Sequence, residues 1–146
     1  MSVRRHIPGA LGVAVLGVAP VILLAAPAGA TVLSPQVELC DGRTPTIDAS
    51  AAGSSLVRGT NGRDVIVVGG THVVASLGGD DVVCVLSGTP QVDSGPGNDV
   101  VLVYGGSSTI DGEEGNDVVY GGDENDVVRG GQGDDTLYAG GGKDQV

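Results

Sequence analysis

The chain has 146 residues and a formal net charge of −11 at pH 7, from 18 acidic and seven basic residues. It contains 27 glycines and three tyrosines, but neither tryptophan nor phenylalanine. So acidic a composition excludes ordinary nucleic-acid binding, which needs a cationic surface, and it favours the binding of cations. The scarcity of aromatic side chains excludes a thick aromatic core and predicts a thin-cored fold or partial disorder.

Residues 1–30 have the pattern of a secretory signal peptide. Arg4 and Arg5 precede the apolar run from Ala10 to Ala26, and the small residues that follow predict cleavage after Ala30. A membrane anchor is the alternative, but prolines interrupt the run and no basic stop-transfer cluster follows it. The arginine pair also fits a twin-arginine export signal. Cleavage leaves 116 residues with 18 acidic and five basic side chains, hence a formal charge of −13 and no membrane span.

A nine-residue period organises the chain from Ser76 to Val146. Eight units follow one another without insertion, and the eighth place of each is aliphatic, which predicts a core position. These residues are Val83, Val92, Val101, Ile110, Val119, Val128, Leu137 and Val146. Glycine occupies the fourth place in every unit but one, where Glu124 stands, and aspartate occupies the sixth place in six units. A fixed period of this kind is typical of a solenoid.

One further unit, from Gly59 to Val67, lies upstream of this run. It starts 17 residues before Ser76 where two units would give 18, so a loop between Val68 and Ala75 is predicted to be one residue short. His72 lies in that stretch, and we expect an exposed loop histidine without a functional role.

Residues 31–58 are less regular than the repeats. Thr46-Ile47-Asp48 nevertheless resembles Thr109-Ile110-Asp111, and a solenoid needs a cover on its first coil. We therefore predict a strand-like N-terminal cap over this segment.

The repeats resemble the calcium-binding RTX nonapeptide family, whose pattern is G-G-x-G-x-D-x-U-x with U aliphatic. The best matches are GEEGNDVVY, GGQGDDTLY and SGPGNDVVL, and the resemblance covers residues 59–146. With its short Cys-Asp-Gly segment before the repeats, the chain is similar to small secreted actinobacterial proteins of this type. The resemblance implies an all-β fold, a right-handed parallel β-roll of four to five turns with an irregular N-terminal cap, and calcium as its cofactor.

Two units complete one coil of such a roll, so odd and even units stack on opposite sides at a spacing of about 4.8 Å. The sixth-place residues then form one unbroken aspartate column and a second column that is half complete. The first contains Asp81, Asp99, Asp117 and Asp135, and the second contains Pro90, Ser108, Asp126 and Asp144. Carboxylates roughly 5 Å apart repel by about 1 to 3 kcal/mol, so the columns need cations.

Calcium is the fitting ion, because it takes six to eight hard oxygen ligands and tolerates flexible geometry. The aspartates would supply carboxylates, while the glycines let backbone carbonyls turn toward the ion. The predicted metal-binding residues are Asp64, Asp81, Asp99, Asp117, Asp126, Asp135, Asp144, Gly79, Gly97, Gly115 and Gly133. A merely solvated acidic surface is the alternative, but it does not explain aspartate confined to one place in nine. Because the aliphatic core is thin, we expect metal binding and folding to be one event.

One outer face of the roll is predicted to be apolar and the other polar, since seventh- and ninth-place residues point outward. The apolar face contains Val82, Cys84, Val100, Leu102, Val118, Tyr120, Thr136 and Tyr138. The polar face contains Gln91, Asp93, Thr109, Asp111, Val127, Arg129 and Gln145. We expect part of the apolar face to be covered. In an exported protein, two cysteines favour a Cys40–Cys84 disulfide, with two free thiols as the alternative.

The function predicted from these features is calcium binding by an extracellular structural or interaction module. An enzyme is not expected, because the chain after cleavage has one histidine, no plausible free catalytic cysteine and no serine-centred elbow motif. The alternative function is a self-assembling cell-surface or matrix component that uses the apolar face. The last unit stops at Val146 without a cap, so we expect its coil to fray; pairing of two molecules at an open strand edge, or truncation of the chain, are the alternatives.

Overall fold

The computed structural model describes residue 40, residues 42–53 and residues 55–146, which belong to one compact unit. Eleven strands lie in these ranges: β1 (Ile47–Gly53), β2 (Leu56–Arg58), β3 (Val65–Gly70), β4 (Val73–Ala75), β5 (Val82–Gly88), β6 (Gln91–Asp93), β7 (Val100–Val103), β8 (Thr109–Asp111), β9 (Val118–Tyr120), β10 (Val127–Arg129) and β11 (Thr136–Tyr138). The same ranges hold no helix that is long and apolar enough to cross a bilayer. The predicted signal peptide lies outside the described residues.

The strands alternate between two parallel sheets. One has the order β1-β3-β5-β7-β9-β11, and the other has the order β2-β4-β6-β8-β10. Partners along each sheet lie one coil apart, as in the pairs Val83↔Val101 and Val101↔Val119. Each coil therefore contributes one strand to each sheet, and about five coils stack into a solenoid. The prediction of an all-β parallel β-roll is confirmed.

The two sheets enclose a thin aliphatic core built from the eighth-place residues. Six of the eight predicted residues are 0–2% exposed: Val83, Val92, Val101, Ile110, Val119 and Val128. Leu137 is partly buried and packs against this core. The core assignment of Val146 is wrong, since this side chain is 70% exposed. Val146 lies beyond the final bridge, at Gln145, so its backbone is not held in a strand that would aim the side chain inward.

The strand register locates the missing residue of the short unit. Val65 to Val68 pair with residues 17 positions later, as in Val68↔Val85, whereas Gly69 pairs with Ser87. The deletion therefore lies between Val68 and Gly69, inside the predicted stretch, and Leu86 is the extra residue in the next coil. Upstream of it, β1 pairs with β3 and β2 pairs with β4, so strands within the segment predicted as a cap form the first coil of the same stack.

A second apolar cluster lies on the outer face of the sheet that contains β3 and β5. Its buried members are Cys40, Val65, Val67, Val82 and Cys84, and Leu86, Val100 and Leu102 pack against them. The predicted disulfide between Cys40 and Cys84 is present, with a Cα–Cα distance of 5.7 Å. Further along the same face, Tyr120 and Tyr138 stack with ring centroids 4.9 Å apart and are about half exposed. Part of the apolar face is thus covered, as expected, and part is open.

Candidate metal centre

The turns that precede β3, β5, β7, β9 and β11 stack so that their aspartates form one ladder. In each step, the backbone N–H of one aspartate donates a hydrogen bond to Oδ1 of the aspartate in the next coil. The steps are Asp64 to Asp81 (2.8 Å), Asp81 to Asp99 (2.7 Å), Asp99 to Asp117 (2.8 Å) and Asp117 to Asp135 (3.0 Å). The column expected from the repeat is therefore unbroken, and Asp64 extends it by one coil.

The other oxygen of three of these aspartates has no hydrogen-bond partner. Oδ2 of Asp81, of Asp99 and of Asp117 is buried and unpaired, and these side chains are 1–2% exposed. A buried carboxylate oxygen without a donor costs free energy, because it has given up hydration without compensation. Each of these oxygens is therefore a position where a cation or a proton would be stabilised.

Burial also raises the pKa of these carboxyl groups. For Asp99 the loss of hydration, aided by the charges of Asp117 and Asp81 and opposed by the N–H of Asp81, raises the pKa to about 7. Burial is likewise the main cause of the raised pKa of Asp81 and of Asp117. Without a cation, the middle of the column therefore holds its negative charge only at a cost.

Fourth-place glycines bring backbone oxygens into the same turns. Gly115 and Gly133 have φ angles of +140° and +137°, which favour glycine. A Cβ on Gly115 would lie 1.6 Å from the carbonyl oxygen of Gly97, and one on Gly133 would lie 1.6 Å from that of Gly115. No side chain fits there, so successive turns approach each other through backbone carbonyls. Carbonyl oxygens beside carboxylates are a donor set that calcium accepts.

Asp64, at the N-terminal end of the column, differs from the other members. Its Oδ2 accepts hydrogen bonds from the Thr60 N–H (2.7 Å) and hydroxyl (2.9 Å), and its Oδ1 accepts one from the Thr46 hydroxyl (2.9 Å). Burial alone would raise the pKa of Asp64, but these hydrogen bonds outweigh it and the pKa is lowered. This carboxylate is stabilised as an anion by protein donors alone.

The second column lies in the turns that precede β4, β6, β8 and β10. The Ser108 N–H donates to Asp126 Oδ1 (2.6 Å), and the Asp126 N–H donates to Asp144 Oδ1 (3.0 Å). Asp126 Oδ2 accepts from the Gly122 N–H (3.1 Å). The structure therefore brings Asp126 and Asp144 together, as the repeat predicts, and Ser108 continues their ladder by one coil.

His72 also belongs to this second column, and the expectation of an exposed loop residue is wrong. Its carbonyl accepts the Gln91 N–H, as the Pro90 carbonyl accepts the N–H one coil later, and its side chain is buried. Ring Nε2 lies 3.1 Å from the Gly69 carbonyl, and Nδ1 lies 3.0 Å from the Ser55 hydroxyl. Because a carbonyl only accepts, Nε2 donates to Gly69, while Nδ1 lies within hydrogen-bond distance of both the hydroxyl and the carbonyl (3.3 Å) of Ser55. The one-residue deletion concealed this sixth place in the sequence.

Side chains alone do not complete a metal site in the described residues. No group of three or more histidines, cysteines, aspartates and glutamates is placed there to hold an ion. A cation in these turns therefore needs backbone oxygens as well. That requirement excludes the nitrogen- and sulfur-rich sites of zinc and suits calcium.

Fold and turns together define a parallel β-roll with candidate calcium sites between successive glycine–aspartate turns. Residues 93–128 and 120–146 match the family model of the RTX calcium-binding nonapeptide repeat, in four copies. The C-terminal part of the chain thus carries RTX repeats, which imply calcium binding by a β-roll. The coils before residue 93 lie outside the matched ranges. No curated protein and no solved structure matches the chain significantly.

Proposed function

We propose that this protein is an extracellular calcium-binding module whose β-roll folds together with its metal. The observation that carries the proposal is the set of unpaired, buried Oδ2 atoms of Asp81, Asp99 and Asp117. Calcium between successive turns of the first column would be held by these carboxylates and Asp135, with carbonyl oxygens of the turns at Gly79, Gly97, Gly115 and Gly133. Asp126 and Asp144 would hold calcium in the second column. Asp64 is left out, because its two oxygens accept three hydrogen bonds, two of them from hydroxyl groups, whereas Asp126 accepts two, both from backbone N–H groups.

In this proposal, calcium supplies the positive charge that the column lacks. Each coil buries few aliphatic side chains, so the apolar core contributes little against the ordering of 18 residues. Removing the repulsion and the unpaired oxygens at each turn then favours the folded state, which couples metal binding to folding.

An extracellular location is supported by two features. Residues 1–30 have the composition of a cleavable signal peptide, and a buried disulfide joins Cys40 to Cys84. Disulfides persist in oxidising compartments outside the cytosol. RTX repeats of this kind are generally structural rather than catalytic, and the proposal assigns no catalytic residue.

The open part of the apolar face favours a second function, self-association. Tyr120 and Tyr138 form a stacked, half-exposed pair, and Tyr120 lies beside Leu102 in the same sheet. Light scattering of the purified protein with and without calcium tests this function. A Tyr138→Ser variant that associates as readily as the wild type would argue against it.

The calcium proposal is tested by isothermal titration and far-UV circular dichroism of the wild type, of Asp99→Asn and of Asp93→Asn. Asp99 lies in a middle turn of the first column and has a neighbouring turn on each side. Its variant is therefore expected to bind at least one ion fewer and to gain less β-structure. Asp93 is exposed, and the same change of charge there is expected to leave stoichiometry unaltered. A wild-type protein with full β-structure and no bound calcium would refute the proposed function.

A further inference from the structure

Tyr120 and Tyr138 form an aromatic pair on the open part of the apolar face. They are register partners on the adjacent parallel strands β9 and β11. Their ring centroids lie 4.9 Å apart, their ring planes differ by 9°, and the residues are 45% and 54% exposed. Nearly parallel rings at this separation attract each other, which favours the pair over two independent side chains. The two phenols are therefore held side by side at a surface that small reagents reach.

The strand register brings the Cε carbons of the two rings close to each other. In a parallel sheet, register partners leave the backbone in the same direction at a strand spacing of about 4.8 Å. The outer halves of both side chains lie in solvent, so the rings have room to move there. A tilt of the two rings toward each other is enough to bring one Cε carbon of each into bonding contact.

The composition of the chain directs one-electron oxidation to its tyrosines. The chain has no tryptophan, its one methionine is Met1, and its two cysteines are joined in a disulfide. Tyrosine is therefore the most easily oxidised side chain that the repeats contain. A phenoxyl radical formed on Tyr120 or Tyr138 has no free thiol or indole in the chain to reduce it, and its nearest partner is the stacked ring.

We propose that Tyr120 and Tyr138 are a site of oxidative cross-linking, where a haem peroxidase and hydrogen peroxide join the two rings into a dityrosine. Each phenol loses one electron and one proton, which together reduce one hydrogen peroxide molecule to two water molecules. The two radicals form a bond between one Cε carbon of each ring. The hydrogen on each bonded Cε then moves as a proton to the oxygen of its own ring. The new bond joins β9 to β11 and closes one coil, so it restrains the last coil by a means other than metal.

The test treats dilute protein in saturating calcium with a haem peroxidase and hydrogen peroxide, and it follows dityrosine fluorescence and intact mass. The wild type is expected to give a fluorescent monomer that has lost two hydrogen atoms, with a peptide cross-link between Tyr120 and Tyr138 after proteolysis. Tyr120→Phe and Tyr138→Phe keep a ring but not the phenol, and each is expected to lose this product. Tyr104→Phe is the matched control, since Tyr104 is 46% exposed and its substitution leaves the pair intact.

A wild type without the monomeric product would overturn the proposal, and so would persistence of that product in Tyr120→Phe or in Tyr138→Phe. Cross-links formed only between molecules would also overturn it, because the rings would then meet across two copies. An equal yield in concentrated urea would have the same consequence, since chance encounters in the unfolded chain would then suffice. Failure of calcium binding with the cross-link intact refutes the proposed function alone.

Discussion

The first coils and the last coils share one backbone geometry, but they differ in how the polar side chains of their turns are paired. In the first coils, protein donors satisfy the polar side chain of the turn: Thr46 and Thr60 bind Asp64, and Ser55 binds His72. In the following coils, Asp81, Asp99 and Asp117 keep an unpaired buried oxygen. The nine-residue period determines the solenoid, and under the proposed function the residue at one place in each turn determines whether a coil depends on metal.

Packing on the outer face of the sheet also differs between the first and the later coils. Val67 and Cys84 lie on the outer face of their sheet and are fully buried, so β3 and β5 are covered on both faces. Tyr120 and Tyr138 occupy the corresponding places of later coils and are about half exposed. The first coils therefore bury more apolar surface per residue, and we expect them to be the more stable region without calcium.

Removal of calcium should have the largest effect, and it should be confined to the later coils. In a metal-free buffer with the disulfide intact, we expect amides near Val68 and Val74 to stay protected from hydrogen exchange. Amides near Val101 and Val119 are expected to lose protection by at least about a hundredfold, because their turns depend on the ion. Exchange followed by mass spectrometry checks this outcome. Equal loss of protection in both regions would contradict the comparison.

Loss of the disulfide should weaken the first coils. The bond closes a loop with a sequence separation of 44, so replacing both cysteines with serine is expected to lower the free energy of unfolding by about 4 kcal/mol. Urea denaturation in saturating calcium measures the change. Chemical reduction of the wild type serves as the control and should produce a similar loss. A change below about 1 kcal/mol would show that the cluster around Cys84 holds these coils without the bond.

Acidity should partly replace calcium in the later coils. The raised pKa values of Asp81, Asp99 and Asp117 mean that the folded, metal-free protein binds protons more tightly than the unfolded chain. Their contribution to stability is thus full below the ordinary aspartate pKa and, for Asp99, is lost as the pH rises through about 7. We expect calcium-free protein to show more β-structure by circular dichroism at pH 5 than at pH 8. The free energy of unfolding is expected to be higher at pH 5 by roughly 2 to 4 kcal/mol.

Asp99→Asn is the control for this pH dependence. The variant cannot titrate at that position, so its metal-free β-structure should vary less between pH 5 and pH 8. An equal dependence on pH in variant and wild type would assign the effect to other groups.

Substitution of His72 is expected to have the smallest effect. His72 occupies the same place of its turn as Asp126, and the two therefore form the clearest contrast. His72→Ala should destabilise the protein by about 1 to 3 kcal/mol, because it leaves the carbonyl of the buried Gly69 without its donor, and should leave calcium stoichiometry unchanged. Ser55→Ala removes one of the same hydrogen bonds, so a double-mutant cycle should show coupling between the two. Loss of a bound ion in His72→Ala would contradict a purely structural role.

Much of the site could be predicted because the nine-residue period places the same type of residue at the same position of each turn. The ladder from Asp81 to Asp135 and the core from Val83 to Val128 follow directly from places in a unit of nine. The prediction was wrong for Val146, which lies beyond the last β-bridge, so that no strand directs its side chain inward. It was also wrong for His72, because one missing residue displaces the nine-residue frame there. The hydrogen bond that Asp64 Oδ1 accepts comes from Thr46, 18 residues away, which no spacing within a unit reveals.

The sequence by itself determined the parallel roll, the position of its core and the aspartate columns, because a strict repeat places equivalent residues in equivalent environments. Only the tertiary structure decided which oxygens remain unpaired. It shows that Asp64 is satisfied by two threonines and that Asp99 keeps an unpaired oxygen. Hydrogen-bond satisfaction depends on groups one coil away, and their approach is determined only when the coils stack.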